Sequence, residues 1–210
     1  MTREHLFPLA VERVMSFKTF AAEALADYKT TAAVAPSSRY LAHAMLKPLS
    51  LSEASTVVEL GPGTGVITKA LLDVLPEDAT LLAFEINRRF YRYLKKNISD
   101  ERLVLLKTSA EHVGRELRRR GRTRVDAVVS SLGLGLMSDR ERRALLGGLL
   151  PFMDDNSVFT QYQYIHGLEL KNGRLRRFSV GSLLHQYFDS VERKMVWRNL
   201  PPAFVFACRK

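Results

Sequence analysis

The chain is poor in cysteine and tryptophan, with one of each in 210 residues. A single cysteine excludes a disulfide framework and a multi-cysteine zinc site, and no metal centre is expected. That residue, Cys208, stands in an apolar stretch and reads as a buried structural thiol. No segment reaches the roughly 18 uninterrupted apolar residues of a membrane span, and residues 1–9 hold no apolar signal core. Internal repeats and low-complexity tracts are also missing. Acid is scarce relative to base: 22 Asp and Glu stand against 32 Lys and Arg, a net charge of +10. That excess favours a polyanionic partner, either an anionic membrane surface or nucleic acid. Solubility alone is the plainer alternative.

The length suits one domain, expected to be a monomer. In residues 6–28, Leu6, Ala10, Val14, Phe17, Ala21, Ala24 and Tyr28 recur at helical spacing, with charged residues between them. This predicts an amphipathic helix. It either packs over the rest of the fold or lies in a membrane interface with Phe7, Val14, Phe17 and Phe20 in the acyl boundary. Ser37 or Ser38 can cap a second helix that ends near Lys47, before Pro48. From residue 56 strands and helices alternate. Strands are expected at 56–60, 80–85, 103–107, 125–130 and 157–162, and helices at 66–75, 88–97, 110–120 and 139–152. Such alternation predicts parallel βαβ units with right-handed crossovers. Residues 187–197 and 203–208 read as a terminal hairpin. Residues 1–50 form an N-terminal helical cap in this reading, and 51–210 the main domain.

Val57-Val58 leads into Glu59-Leu60-Gly61-Pro62-Gly63-Thr64-Gly65, and a helix follows. Gly61 and Gly63 can take tight backbone angles and let a ligand approach the main chain. Gly65 is expected to let the helix pack closely on the strand. Glu59 stands where an acid can hold a cationic amino-acid group. Glu85 closes the second strand about 20 residues after the loop, where an acid accepts hydrogen bonds from ribose hydroxyls. The dinucleotide fingerprint wants G-x-G-x-x-G, and G-P-G-T-G departs from it.

This loop with an acidic second strand resembles motifs I and II of the class I S-adenosylmethionine (SAM)-dependent methyltransferases. The resemblance implies an α/β fold: a Rossmann-like seven-stranded sheet with its last strand reversed. It implies SAM contacts at Glu59, Gly61, Gly63, Gly65, Glu85, Ile86, Ser109, Ala110 and Ser130. After the third strand Ser109 occupies a place where Asp is common. Either Ser109 or Glu111 meets the adenine amine, or Ser109 is a helix cap.

Base and glutamine methylases of this class carry N-P-P-Y or D-P-P-Y after the fourth strand. Here the segment is Ser130-Ser131-Leu132-Gly133-Leu134-Gly135-Leu136, without the prolines or the aromatic. Residues 33–39 resemble bacterial phospholipid N-methyltransferases. So do the 128–134 segment, Gln161-Tyr162-Gln163-Tyr164, and the stretch from Trp197 to Ala203. That resemblance implies stepwise methylation of phosphatidylethanolamine towards phosphatidylcholine. It implies a cytoplasmic enzyme attached peripherally to the inner membrane, with an anionic surface and a phospholipid as partners. Its implied substrate contacts are Ser37, Ser131, Leu132 and Arg174. Methylated products are cations that aromatic faces can hold, and the attacking amine must lose a proton. Tyr164 is therefore the expected ammonium contact and His166 the proton acceptor, with Tyr162 beside them. Arg115, Arg118, Arg119, Arg120, Arg122 and Arg124 form one cationic group, and Lys171, Arg174, Arg176 and Arg177 another. Each group either meets lipid phosphates or is a solvated face. A ribosomal RNA adenine methyltransferase and a non-catalytic SAM-fold binding protein are the alternative readings.

Overall fold

A computed structural model describes residues 36–164, 168–171, 174–199 and 202–210. The helix expected over 6–28 and the acceptor His166 lie outside these residues.

The first helix is α1 (Pro36–Leu46). The sheet begins with β1 (Thr56–Leu60), buried at every position. A strand covered on both faces reads as an apolar run, and this one alternates its contacts. Val57 enters the core beneath α1, and Val58 enters the core on the opposite face. There follow α2 (Val66–Leu72), β2 (Thr80–Phe84), α3 (Arg88–Asn97), β3 (Leu103–Leu106), a 3₁₀ turn (Ala110–His112) and α4 (Val113–Arg119). Next come β4 (Ala127–Ser130), a 3₁₀ turn (Leu134–Leu136), α5 (Asp139–Leu149), a 3₁₀ turn (Leu150–Phe152) and β5 (Val158–Tyr164). The chain closes with β6 (Leu168–Lys171), β7 (Arg174–Arg177), α6 (Val180–Leu184), β8 (Ser190–Val196) and β9 (Ala203–Arg209).

The main sheet has seven strands in the order β3-β2-β1-β4-β5-β9-β8. β1 to β5 are parallel, and β9 runs antiparallel to both β5 and β8. The expected Rossmann-like sheet with a reversed last strand is therefore present. Strand order reverses between β1 and β4, and open sheets bind ligands at the carboxyl ends beside such a switch point. Cys208 is buried in β9, where burial pushes its thiol up to about 12.

Several boundaries differ from the pattern-based expectation. The 110–120 and 139–152 helices each split into a 3₁₀ turn and an α-helix. β4 starts at Ala127 rather than 125, and just before it Asp126 Oδ2 accepts the amides of Ser55 and Thr56, both at 2.9 Å. β5 runs on to Tyr164 because β9 pairs with it that far. The β6–β7 hairpin was not expected. The arginines of 115–124 gather towards the amino ends of the strands. Arg122 Nη2 donates to Thr80 Oγ1 at 2.9 Å, Arg124 pairs with Asp154 at 2.9 Å, and Arg120 pairs with Glu116. Arg122 and Arg124 thus tie the sheet together at the end opposite the glycine loop, while the Arg120 pair stays within its own helix.

Candidate cofactor and acceptor site

The glycine loop leaves the carboxyl end of β1 and turns into α2. Gly61, Gly63 and Gly65 all have positive φ, at 74°, 59° and 82°. For a residue with a Cβ this region is costly, so the run of glycines is a backbone requirement. Each glycine also leaves a different space. A Cβ at Gly61 would meet Leu132 Cδ2 at 2.9 Å, so the loop after β4 rests on it. A Cβ at Gly65 would meet Leu94 Cδ2 at 2.6 Å and Ile98 Cδ1 at 2.8 Å. The close packing expected of Gly65 is thus with α3 and the residue after it, not with the strand. A Cβ at Gly63 would meet nothing within 4 Å. Gly63 opens onto free space.

Two buried carboxylates stand by the loop, Glu85 on Gly63 itself and Glu59 beneath it. Glu85, just past β2, accepts the Gly63 amide at 3.0 Å and the Asn87 amide at 2.7 Å. Each carboxylate oxygen has a further lone pair, so Glu85 can hold the loop and still accept from a ligand hydroxyl. Burial raises its pKa, and the two amide hydrogen bonds work against that rise. Glu59 is fully buried, and its Oε2 accepts Thr68 Oγ1 at 2.7 Å. Its Oε1 has no hydrogen-bond partner among the described residues. Burial pushes Glu59 up to about 8, against the Thr68 hydrogen bond and with a smaller push from the Glu85 charge. A cation at the loop would relieve both groups. Ile86 is exposed beside Glu85. Ser109 caps the 3₁₀ turn that starts at Ala110, and its hydroxyl donates to Glu111 Oε1 at 2.9 Å. The two candidates for the adenine contact are therefore hydrogen-bonded to each other.

The segment after β4 forms the other wall. Ser130 is buried, and its Oγ accepts the Leu132 amide at 3.4 Å. The Ser131 amide donates to Leu60 O at 2.8 Å, which ties this wall to the start of the glycine loop. Two buried side chains hold it from behind. Gln161 Nε2 donates to Leu132 O at 2.9 Å, and Arg142 Nη1 donates to Leu134 O at 2.8 Å. Arg142 also pairs with Asp139 and lies over the Phe178 ring at 4.7 Å. At the end of β5, Tyr164 is 40% exposed and meets Tyr162 edge-on at 5.4 Å between centroids. Burial, with help from Tyr164, raises the Tyr162 phenol above its usual range. Tyr162 therefore stays protonated and offers a ring face rather than a base. Ser37 falls in α1 and Arg174 opens β7.

Arg142, Thr68 and Asn87 are not singled out by the sequence, and Gln161 enters there only within the Gln161–Tyr164 stretch, with no support role. Thr68 and Arg142 carried a signal: each is a polar residue on the buried stripe of an amphipathic helix, where an unpaired polar group would be costly. Gln161 and Asn87 carried none, since their partners are backbone groups distant in sequence or visible only in a cap.

The glycine loop at the switch point, the acid closing β2 and the reversed β9 define the class: the chain has the class I SAM-dependent methyltransferase fold. The solved 1,6-didemethyltoxoflavin N1-methyltransferase of Burkholderia thailandensis, bound to S-adenosylhomocysteine, superposes with a TM-score of 0.65 at 16% identity, covering 100% of this chain and 93% of that one. A putative rRNA methylase of Clostridium thermocellum superposes at 0.59 and 19% identity, over 80% of this chain and 93% of its own. In sequence, the family model of ribosomal RNA adenine dimethylases matches residues 37–110. An ornithine lipid N-methyltransferase of Singulisphaera acidiphila is 27% identical over 179 residues, 85% of this chain and 88% of that protein. SAM is the cofactor of this fold, and the residues present fit it. Gly63 offers open space at the loop, Glu59 Oε1 is an unpaired buried acceptor, and Glu85 borders the same loop.

Proposed function

We propose that the chain methylates the amino headgroup of a membrane lipid, with phosphatidylethanolamine as the substrate to try first and an ornithine lipid second. The observation that carries this reading is where the sequence matches stop. The match to ribosomal RNA adenine dimethylases ends at residue 110, before the acceptor segment that starts at Ser130. The lipid methyltransferase match covers 85% of the chain and so includes most of both halves. Composition agrees: Ser130 to Leu136 has no aromatic side chain to stack on a base.

When bound, SAM supplies an electrophilic methyl group on a sulfonium, and the chain's own part is largely positioning. Gly61 and Gly63 let the ligand approach the main chain, and Glu85 accepts hydroxyl hydrogen bonds. Leu132, held over Gly61, sets the distance between the cofactor and acceptor walls. The ring of Tyr164 faces the growing positive charge of the amine. His166 follows β5 and takes the amine proton.

Purified protein with labelled SAM should methylate phosphatidylethanolamine or ornithine lipid in vesicles and leave ribosomal RNA unlabelled. Label in RNA alone would overturn the reading. Tyr164→Phe should keep most lipid turnover, and Tyr164→Ala should lose several-fold more. An aromatic contact to a cation is worth roughly 0.5–2 kcal/mol. SAM affinity should stay at the wild-type level in both.

A further inference from the structure

We propose that an anionic bilayer docks across the carboxyl end of the sheet, held by the cationic face of α3 near one edge and by Trp197 at the other. The inference rests on the lipid reading above and adds which surface meets the membrane.

Strand directions place the two anchors. β8 runs parallel to β1, because both it and β5 are antiparallel to β9. The end of β8 therefore lies at the same end of the sheet as the glycine loop. Trp197 follows β8 directly, in a turn, and is 73% exposed among the described residues. Tryptophan favours the headgroup level of a bilayer, where its ring is in apolar surroundings and its N–H can still find a partner. Its neighbour Arg198 is not free for lipid in the same way, since it lies over the Tyr40 ring at 5.3 Å.

At the other edge, α3 begins just after the carboxyl end of β2. Its ten residues include Arg88, Arg89, Arg92, Lys95 and Lys96, all exposed, and no acid. At 3.6 residues per turn these five fall within an arc of about 120°. Leu94, the buried residue, points the other way, and Tyr91 and Tyr93 flank the arc. Among the described residues none of the five enters an ion pair.

The amino-terminal half of this charge pattern works against the helix itself. Arg88 and Arg89 stand at the positive end of the helix dipole, where acids are preferred. Arg88 with Arg92, and Arg92 with Lys96, are like charges one turn apart, which destabilise a helix. Lys95 and Lys96 suit the negative end of the dipole, but helix formation does not explain Arg88, Arg89 and Arg92, and an anionic surface does. The sheet order puts β3 and β8 at opposite edges, about 30 Å apart at normal strand spacing. The glycine loop and the acceptor wall lie between the anchors, so a bilayer touching both would present its headgroups to the site. Two weak attachments together give the firm but reversible binding that one alone does not.

Trp197 is the chain's sole tryptophan, so its fluorescence reports this contact without labelling. Vesicles of phosphatidylglycerol and phosphatidylcholine should shift wild-type emission to the blue, and brominated acyl chains should quench it. Arg88→Glu/Arg92→Glu should reduce vesicle sedimentation about tenfold or more at low salt. That variant should not unfold, since an acid at position 88 would suit the helix dipole and an acid at position 92 could pair with Lys96. Trp197→Ala should reduce sedimentation less and leave its salt dependence intact. Both variants should keep wild-type SAM affinity and should methylate detergent-dispersed lipid normally. Unquenched tryptophan, or full vesicle binding by the double charge variant, would overturn the proposal. So would tight RNA binding that the charge change abolishes while vesicles are ignored. Docking with quenching but no lipid methylation would leave this surface standing and remove the lipid reading instead.

Discussion

The two walls of the site are built by different means. The cofactor wall is the more local: within Glu59 to Gly65 the backbone angles and one buried acid belong to a single seven-residue stretch, to which Glu85 is added from the end of β2. The acceptor wall is assembled from a distance. Its loop has no acid or aromatic of its own, and its shape depends on Gln161 and Arg142 reaching its carbonyls from β5 and α5. A wall that needs glycine angles tolerates little change, whereas one propped from behind can alter its lining while keeping its support. That difference suits a fold in which cofactor binding stays constant and the acceptor varies.

Substitutions can separate the two walls. The largest effect is expected at Gly61, where a side chain meets both a positive φ and Leu132. Gly61→Val should cost about 2–5 kcal/mol in stability and abolish SAM binding by calorimetry. Gly63→Ala faces no neighbour and should cost only about 1–2 kcal/mol of backbone strain. Its SAM affinity should nevertheless fall by at least about tenfold, or 1.4 kcal/mol, because the methyl group fills the ligand space. A Gly63→Ala protein with wild-type affinity would show that the ligand lies elsewhere.

On the other wall, Arg142→Met removes the donor to Leu134 O and should destabilise the protein by about 1–3 kcal/mol. Turnover should drop in a steady-state assay while SAM affinity by calorimetry holds. Equal loss of both would mean that the walls are not separable.

A further effect concerns pH. Glu59 is held near 8 in the folded chain against an ordinary value of 4.5. A raised carboxyl stabilises the fold fully below the unfolded value, and that contribution is lost as pH rises towards the folded one. Unfolding temperature of the ligand-free protein should therefore decline between about pH 5 and 8. Glu59→Gln should flatten the decline in a thermal melt, and saturating SAM, being cationic, should also reduce it. An unchanged slope in Glu59→Gln would assign it to other groups.

Much of this architecture is legible in the sequence because parallel strands are buried on both faces. The spans 56–60 and 88–97 coincide with β1 and α3, one a short strand buried at every position and the other a strong helical stripe. The β6–β7 hairpin escaped although Asn172-Gly173 stands between its strands, a strong turn signal. Four-residue strands rich in charge read as solvated loop unless the turn is weighed first. The glycine loop and Glu85 are visible because their spacing is local. The supports of the acceptor wall are not, because a glutamine bonded to a carbonyl 29 residues away has no sequence pattern.

The edges of the sheet also govern how copies of the chain behave towards one another in concentrated solution. β3 exposes only four residues of ladder, too short for a stable foreign strand. β8 is longer, but Glu192, Arg193 and Lys194 stand exposed in its middle. Recruiting another strand there would bring identical charges together and strip them of water. Replacing Arg193 and Lys194 by valine would turn that edge into a template for aggregation without touching the site.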